Sequence, residues 1–274
     1  MSSIQDGKRY AHIALLAALP QEYRPFQKLS GPWRSVSARP FRHFIRVHSD
    51  RDFMLVETGM GKSRILDALK WVQERYTPDL IVSFGFAGSL HKKLKVGQTF
   101  LANRFNLLHD SLHSDRSGSQ LILEVPSTLQ HFIHENHFAL VRILTAQRPE
   151  PKAPLLELLR EVPSLMDMES YFAAEFTLKN SIPFLCFRTV SDGDEDEIDF
   201  DLGSITNGDG QVQTLKVLRT VAAKPGLMKS FWFSWRRSRL AAMRIAGLLS
   251  SFLSLPLYEL TEILSSIQLK EESR

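Results

Sequence analysis

Asp192 stands where the apolar run in "FLCFRTVSDGDEDE" gives way to a serine and a cluster of carboxylates. An apolar run of this length bounded by polar residues reads as a strand interior to a sheet. Open α/β folds place their ligands at the C-terminal ends of such strands. A carboxyl at that position is a candidate for acid or base chemistry. The acids that follow it in "SDGDEDEIDFD" lack the glycine and closing glutamate of a calcium loop and read as a solvated loop. "ETGMGKS" ends in Gly-Lys-Ser, but a triphosphate loop needs glycine where Val56 stands, and a dinucleotide fingerprint needs one where Arg64 stands. What remains is a turn at Gly59 and Gly61. It reads equally as backbone amides approaching a ligand and as a tight turn that needs glycine for its conformation. In "HFIHENHF", a single residue, Asn136, separates Glu135 from His137, where the zinc-protease pattern needs two. We read a solvated surface helix there and expect no metal. Cys186, inside the apolar run, reads as a packed core thiol and not a nucleophile.

The elements that must position Asp192 alternate between strand and helix. "HIALLAALPQEYRPF" begins as a strand and turns at Pro20 into a segment that can open a helix at Gln21 and Glu22. "DFMLVETGMGKS" predicts a strand running into the glycine turn, and Ile65, Leu66, Leu69 and Val72 after it share one helical face. "PDLIVSFGFAGSL" predicts a continuous apolar strand that reaches Gly85 and Gly88, and "LKVGQTFLANRFNLL" another. From about 105 to 150 little can be placed beyond the short strand "ALVRILTA" and the surface helix at "HFIHENHF". "SLMDMESYFAAEFTLKNS" is a strand end leading into a helix, and "IPFLCFRTVSD" the last strand. Beyond a Gly/Asn/Asp turn cluster, helical patterns cover Gln211 to Ala223 and resume after Pro225. Continuous apolar strands alternating with helices predict a parallel or mixed sheet covered on both faces, an α/β domain.

The 274-residue chain carries a net charge of +4, and no acidic residue falls between Asp209 and Glu259. Lys216, Arg219, Lys224, Lys229, Arg236, Arg237, Arg239 and Arg244 all lie in that interval, together with Phe231, Trp232, Phe233 and Trp235. Such a segment carries too many charges to span a bilayer, but suits a membrane interface. The competing reading is a terminal helix packed on the domain or in a dimer contact. A single cysteine and a polar "MSSIQDGKRY" start lead us to expect a reducing, cytoplasmic location without export. No cofactor and no nucleic-acid partner are expected.

Four stretches, "IALLAALPQE", "ETGMGKSRILDAL", "PDLIVSFGFAGSLHKKLKVGQ" and "MDMESYFAAEFTLKNSIPFLCFRTVSD", resemble in order and spacing the superfamily of purine nucleoside phosphorylases and 5′-methylthioadenosine/S-adenosylhomocysteine nucleosidases. The resemblance implies a three-layer α/β/α fold around a mixed, barrel-like central sheet, with a ribosyl-purine site at its edge. We expect a catalytic domain over residues 10–223 and a basic, aromatic helical extension over 224–274, and the resemblance implies a homo-oligomer. In its terms Asp192 protonates the purine at N7, Ser191 orients Asp192, and Glu22 activates the attacking water. Glu169 hydrogen-bonds a ribose hydroxyl and Met168 packs against the sugar. Arg188, Gly85, Phe86, Gly59 and Gly61 complete the substrate-binding set.

These residue types suit the chemistry. Breaking an N-glycosidic bond builds positive charge on the ribose and negative charge on the departing base, so carboxylates near the sugar and an acid at the base oppose both. The related phosphorylases hold phosphate with an arginine and a hydroxyl where this chain has Ser83 and Phe86, which favours water as the nucleophile. A phosphate-dependent phosphorylase and a non-catalytic nucleoside-binding protein are the alternatives. The segment between "VRILTA" and "MDMES" is short and lacks the aromatic residue expected to stack on adenine. The "DMES" motif, the segment at Lys152 and the tail instead look like the hopanoid-associated branch, whose inferred substrate is the lipid-linked adenosylhopane.

Overall fold

The computed structural model describes residues 10–108, 120–148, 152–159, 161–193 and 227–272, apart from the side chains of 153, 158 and 227–236. The carboxylate run after Gly193 and the helical pattern over Gln211 to Ala223 lie outside the described residues. So do the side chains of Phe231, Trp232, Phe233 and Trp235.

The strands are β1 (Ala11–Ala17), β2 (Arg34–Ser37), β3 (Arg42–Val47), β4 (Arg51–Glu57), β5 (Leu80–Ser89), β6 (Thr99–Leu107), β7 (Gln120–Glu124), β8 (Ala139–Thr145), β9 (Ser164–Asp167), β10 (Phe184–Asp192) and β11 (Gln268–Glu272). The helices are α1 (Pro20–Leu29), α2 (Lys62–Tyr76), α3 (Ser127–Glu135), α4 (Lys152–Leu158), α5 (Ser170–Lys179), α6 (Leu227–Leu253) and α7 (Leu257–Ser266). All strands join one mixed sheet in which β10 pairs with both β5 and β6. The ring β5, β10, β6, β8, β9 and back to β5 is thereby closed into a five-stranded barrel. From it β1 and β4 extend in parallel, and β3 and β2 follow antiparallel. This is the expected α/β fold with its barrel-like mixed sheet.

β1, β4, β5 and β10 run in one direction, so their C-terminal ends fall at one edge. Ile13, Leu15, Leu16, Leu55, Ile81, Val82, Leu185 and Phe187 are inaccessible or nearly so, as continuous apolar strands covered on both faces require. α2 buries Ile65, Leu69 and Val72 against this sheet, with Leu66 partly covered, along the stripe read from the sequence. α3 buries Leu129, Phe132 and Ile133 and leaves its histidines outward, and among the described residues no cluster of His, Cys, Asp or Glu could hold a metal.

The C-terminal segment is woven into the same body. Ala241, Ala242, Ile245, Ala246, Leu249, Phe252 and Leu253 of α6 are buried. Phe252 meets Phe132 and Phe187 at 5.5 and 5.6 Å between ring centroids. A ring in such a setting contributes about 3 to 5 kcal/mol. Beyond α7, β11 pairs antiparallel with β7. No single helix among the described residues is long and apolar enough to cross a membrane; 237–253 and 257–266 pass by composition only as a pair bent by 99°.

Candidate active site

Glu22 arrives at the strand edge because α1 begins at Pro20, a position where proline suits a first turn, and sets Glu22 at its third residue. Its carboxylate reaches back to accept the Leu19 amide on Oε2 at 2.8 Å, and Oε1 accepts the Phe86 amide at 2.9 Å. Both oxygens are held by backbone donors, and the carboxylate lines the cleft. The fit is close: a Cβ at Gly85 would lie 2.4 Å from Glu22 Oε1, so glycine is required there for space. Burial pushes the Glu22 carboxyl above its ordinary range, against the two amides and Arg188, which pull it down.

Glu169 caps the start of the neighbouring helix. Its Oε1 accepts the amide of Gly61, the residue just before α2, at 2.6 Å. Gly61 has φ +91 and Gly59 φ +78, a region that glycine enters without a Cβ penalty. The Gly59 amide is bonded to the Ala18 carbonyl at 3.1 Å. Both amides are therefore engaged within the protein, and the glycine turn serves to present Glu169. Burial first, and Asp167 second, raise the Glu169 carboxyl to about 7.

Arg188 lies under both glutamates. Its Nε donates to Asp167 Oδ2 at 2.9 Å, one terminal nitrogen to Ser83 Oγ at 3.1 Å and the other to the Phe187 carbonyl at 3.1 Å. Asp167 is buried and held in turn by the hydroxyls of Thr145 and Ser170 and by Arg188. Ser170 also lies 3.1 Å from Cys186 Sγ, and burial pushes that thiol up to about 11, as befits an inert core cysteine. Glu22, Glu169, Arg188, Ser83, Gly85, Phe86 and Thr58 line one narrow cleft with a cavity volume of about 10 Å³. Within it three carboxylates, counting Asp167 beneath, face one guanidinium.

Asp192 stands apart from that lining, farther along the same two strands. Arg188 is in register with Gly85, and Asp192 with Gly88, after a bulge between Val190 and Asp192. A bulge at a strand end re-aims the side chain that follows it. Three residues along β5 amount to roughly 10 Å. Ser191 Oγ donates to Asp192 Oδ1 at 2.7 Å, and Lys152 Nζ donates to Asp192 Oδ2. Met168 is partly exposed between Asp167 and Glu169.

The structure thus brings Glu22, Glu169, Arg188, Gly85 and Phe86 together and places Ser191 and Asp192 on the adjoining stretch. Asp167 and Lys152 border the site without having been assigned a role from the sequence, although the "DMES" motif that contains Asp167 and the segment at Lys152 both stood out there by resemblance.

Comparison with known proteins agrees with this architecture. A sequence profile of the phosphorylase superfamily matches residues 12–222. The 5′-methylthioadenosine/S-adenosylhomocysteine nucleosidase of Staphylococcus saprophyticus is 24% identical over 165 residues, covering 54% of this chain and 71% of that protein. The enzyme of the same name from Listeria monocytogenes is 20% identical over 211 residues, covering 69% and 90%. Among solved structures, the S-adenosylhomocysteine nucleosidase of Streptococcus pyogenes superposes with a TM-score of 0.66 at 15% identity, covering 90% of this chain and 98% of that one. The Helicobacter pylori nucleosidase superposes with 0.65 at 17%, covering 89% and 98%. The profile spans most of the chain and contains every residue of the cleft: the chain belongs to the phosphorylase superfamily.

Proposed function

We propose that the chain is a purine nucleosidase that hydrolyses the N-glycosidic bond of an adenosyl nucleoside and releases adenine. Glu22 takes a proton from the attacking water, Glu169 accepts a ribose hydroxyl, Met168 packs on the sugar, and Asp192 protonates the base at N7. The observation that carries the reading is Glu22, a buried carboxylate with each oxygen tied to a backbone amide, opening into a cleft that also holds Glu169 and Arg188. A carboxyl raised by burial is a stronger base toward water than an exposed one, and a positioned base or acid contributes about 10²- to 10⁴-fold.

The same cleft favours water over phosphate. Arg188, its buried cation, is already paired with Asp167, and Glu22 and Glu169 add further negative charge. A phosphate dianion entering there would meet uncompensated like charge, whereas water meets a ready acceptor. The names of the related nucleosidases support the adenosyl substrate. The experiment is free-base release from 5′-methylthioadenosine, S-adenosylhomocysteine, adenosine and inosine by the wild type and by Asp192→Asn. The variant is expected to bind ligand and release no base; an unimpaired variant would sink the assignment.

A finer reading places a lipid at the 5′ position and the enzyme at the cytoplasmic face of a membrane. Leu240 and Met243 of α6 are 45% and 60% exposed within the acid-free basic segment, which is the composition an interfacial helix needs.

A further inference from the structure

Lys152 has no task in the reaction as assigned. It is 3% exposed, and a cation so deep is stable only when paired and hydrogen-bonded. Its ammonium donates to Asp192 Oδ2 and, at 2.7 Å, to the carbonyl oxygen of Gly193. The placement is built by packing. Leu155 and Leu159, in and just beyond α4, cluster with Leu90 and Leu144 from the ends of β5 and β8, which seats Lys152 at the head of α4 against β10. Gly88 leaves the room: a Cβ there would come within 2.8 Å of Asp192 Oδ2 and 3.0 Å of Lys152 Cε. Ser191 occupies the other carboxylate oxygen. Asp192 therefore accepts a hydrogen bond on each oxygen in this arrangement, and Lys152 is the charged donor seated against it.

We infer that Lys152 supplies, through Asp192, the proton that the departing purine takes up, an inference that rests on the nucleosidase reading of this site. As the bond between C1′ and the purine nitrogen breaks, its electron pair passes into the ring. Asp192 gives a proton to N7 while an N–H bond of Lys152 breaks to supply Asp192, leaving a neutral amine. Water adds its oxygen to C1′ and its proton to Glu22. After the products leave, Glu22 loses that proton to solvent and Lys152 regains one, so the cycle is balanced. Lys152 acts through Asp192 and does not touch substrate; it is a positioning residue that also holds the proton.

The test uses Lys152→Arg and Lys152→Met in the full chain, with adenine release from S-adenosylhomocysteine or adenosine as one readout. The second readout is release of 4-nitrophenolate from 4-nitrophenyl β-riboside, a leaving group that departs as a stable anion. Arginine keeps the charge and the pairing to Asp192 but does not surrender a proton. Both variants are expected to lose adenine release by roughly 10²-fold or more while retaining nitrophenolate release within a few-fold, and the thermal melt of Lys152→Arg reports that it is folded. Wild-type adenine release by Lys152→Arg would overturn the inference, as would a folded variant that loses both substrates in parallel. A wild-type chain that releases base from no nucleoside overturns the nucleosidase reading itself, and this inference with it.

Discussion

Glu169 is a carboxyl held against its preference, and its replacement by glutamine should stabilise the protein in a pH-dependent way. Burial and the nearby Asp167 raise it from 4.5 to about 7, against the opposing pull of the Gly61 amide and Arg188. Between those values the folded state binds more protons than the unfolded one, so stability falls as pH rises through the interval. The penalty is nearly absent below 4.5 and complete above 7, where the shift corresponds to about 3 kcal/mol. Glu169→Gln keeps an oxygen for the Gly61 amide and removes the ionisation. Its advantage over wild type should therefore grow by about 2 to 3 kcal/mol between pH 5 and pH 8. For a chain of this length that corresponds to a relative gain in melting temperature of roughly 5 to 10 °C. The assay is thermal or urea unfolding of both proteins across that range, with base release measured in parallel and expected to fall as the ribose contact is lost. An advantage that does not change with pH, or that is larger at pH 5, would refute the assignment of Glu169 as a raised carboxyl.

Two further outcomes follow from the geometry. Gly85→Ala drives a methyl group into Glu22 Oε1, which must move. Displacement of a positioned base by about 1 Å costs on the order of 10²-fold, so base release should fall by that much in a variant that still folds and binds adenine, and undiminished release would show that Glu22 is not the base. If α6 meets lipid, the double variant Leu240→Glu, Met243→Glu should co-sediment less with anionic liposomes than wild type; equal sedimentation would remove the interfacial reading.

The parts of the fold legible in the sequence are those whose burial is two-sided or strictly periodic. β5 and β10 are uninterrupted apolar runs because the sheet is covered on both faces there, and α2 shows its stripe because only one face is buried. β2, with sequence RSVS, and β11, with sequence QLKEE, are short and largely exposed, so neither carries an alternating or apolar signal. Their identity as strands comes from pairing with β3 and β7, the latter across more than 140 residues of chain. α3 was legible as a surface helix, but the burial of its Phe132 depends on partners distant in sequence, among them Phe252 of α6.

The site divides in the same way. Asp192 announces itself by ending an apolar strand, a local property of ten residues. Glu22 and Glu169 enter through resemblance alone, because what makes them notable is an amide donated by Phe86 in one case and by Gly61 in the other. Lys152 and Asp192 are 40 residues apart and meet because α4 docks on the apolar cluster of Leu90 and Leu144 while a bulge turns the end of β10. No spacing rule encodes a meeting that depends on the register of one element and the docking of another.

The central claim is that water, activated by Glu22, cleaves the bond between ribose and purine. Its most direct test is the reaction of S-adenosylhomocysteine or 5′-methylthioadenosine in ¹⁸O-labelled water, with and without phosphate, read by mass spectrometry of the sugar. The account predicts free adenine and a free sugar carrying the label at C1, at a rate indifferent to phosphate and lost in Glu22→Gln. A sugar 1-phosphate formed only when phosphate is present, or the absence of any base release, would contradict it.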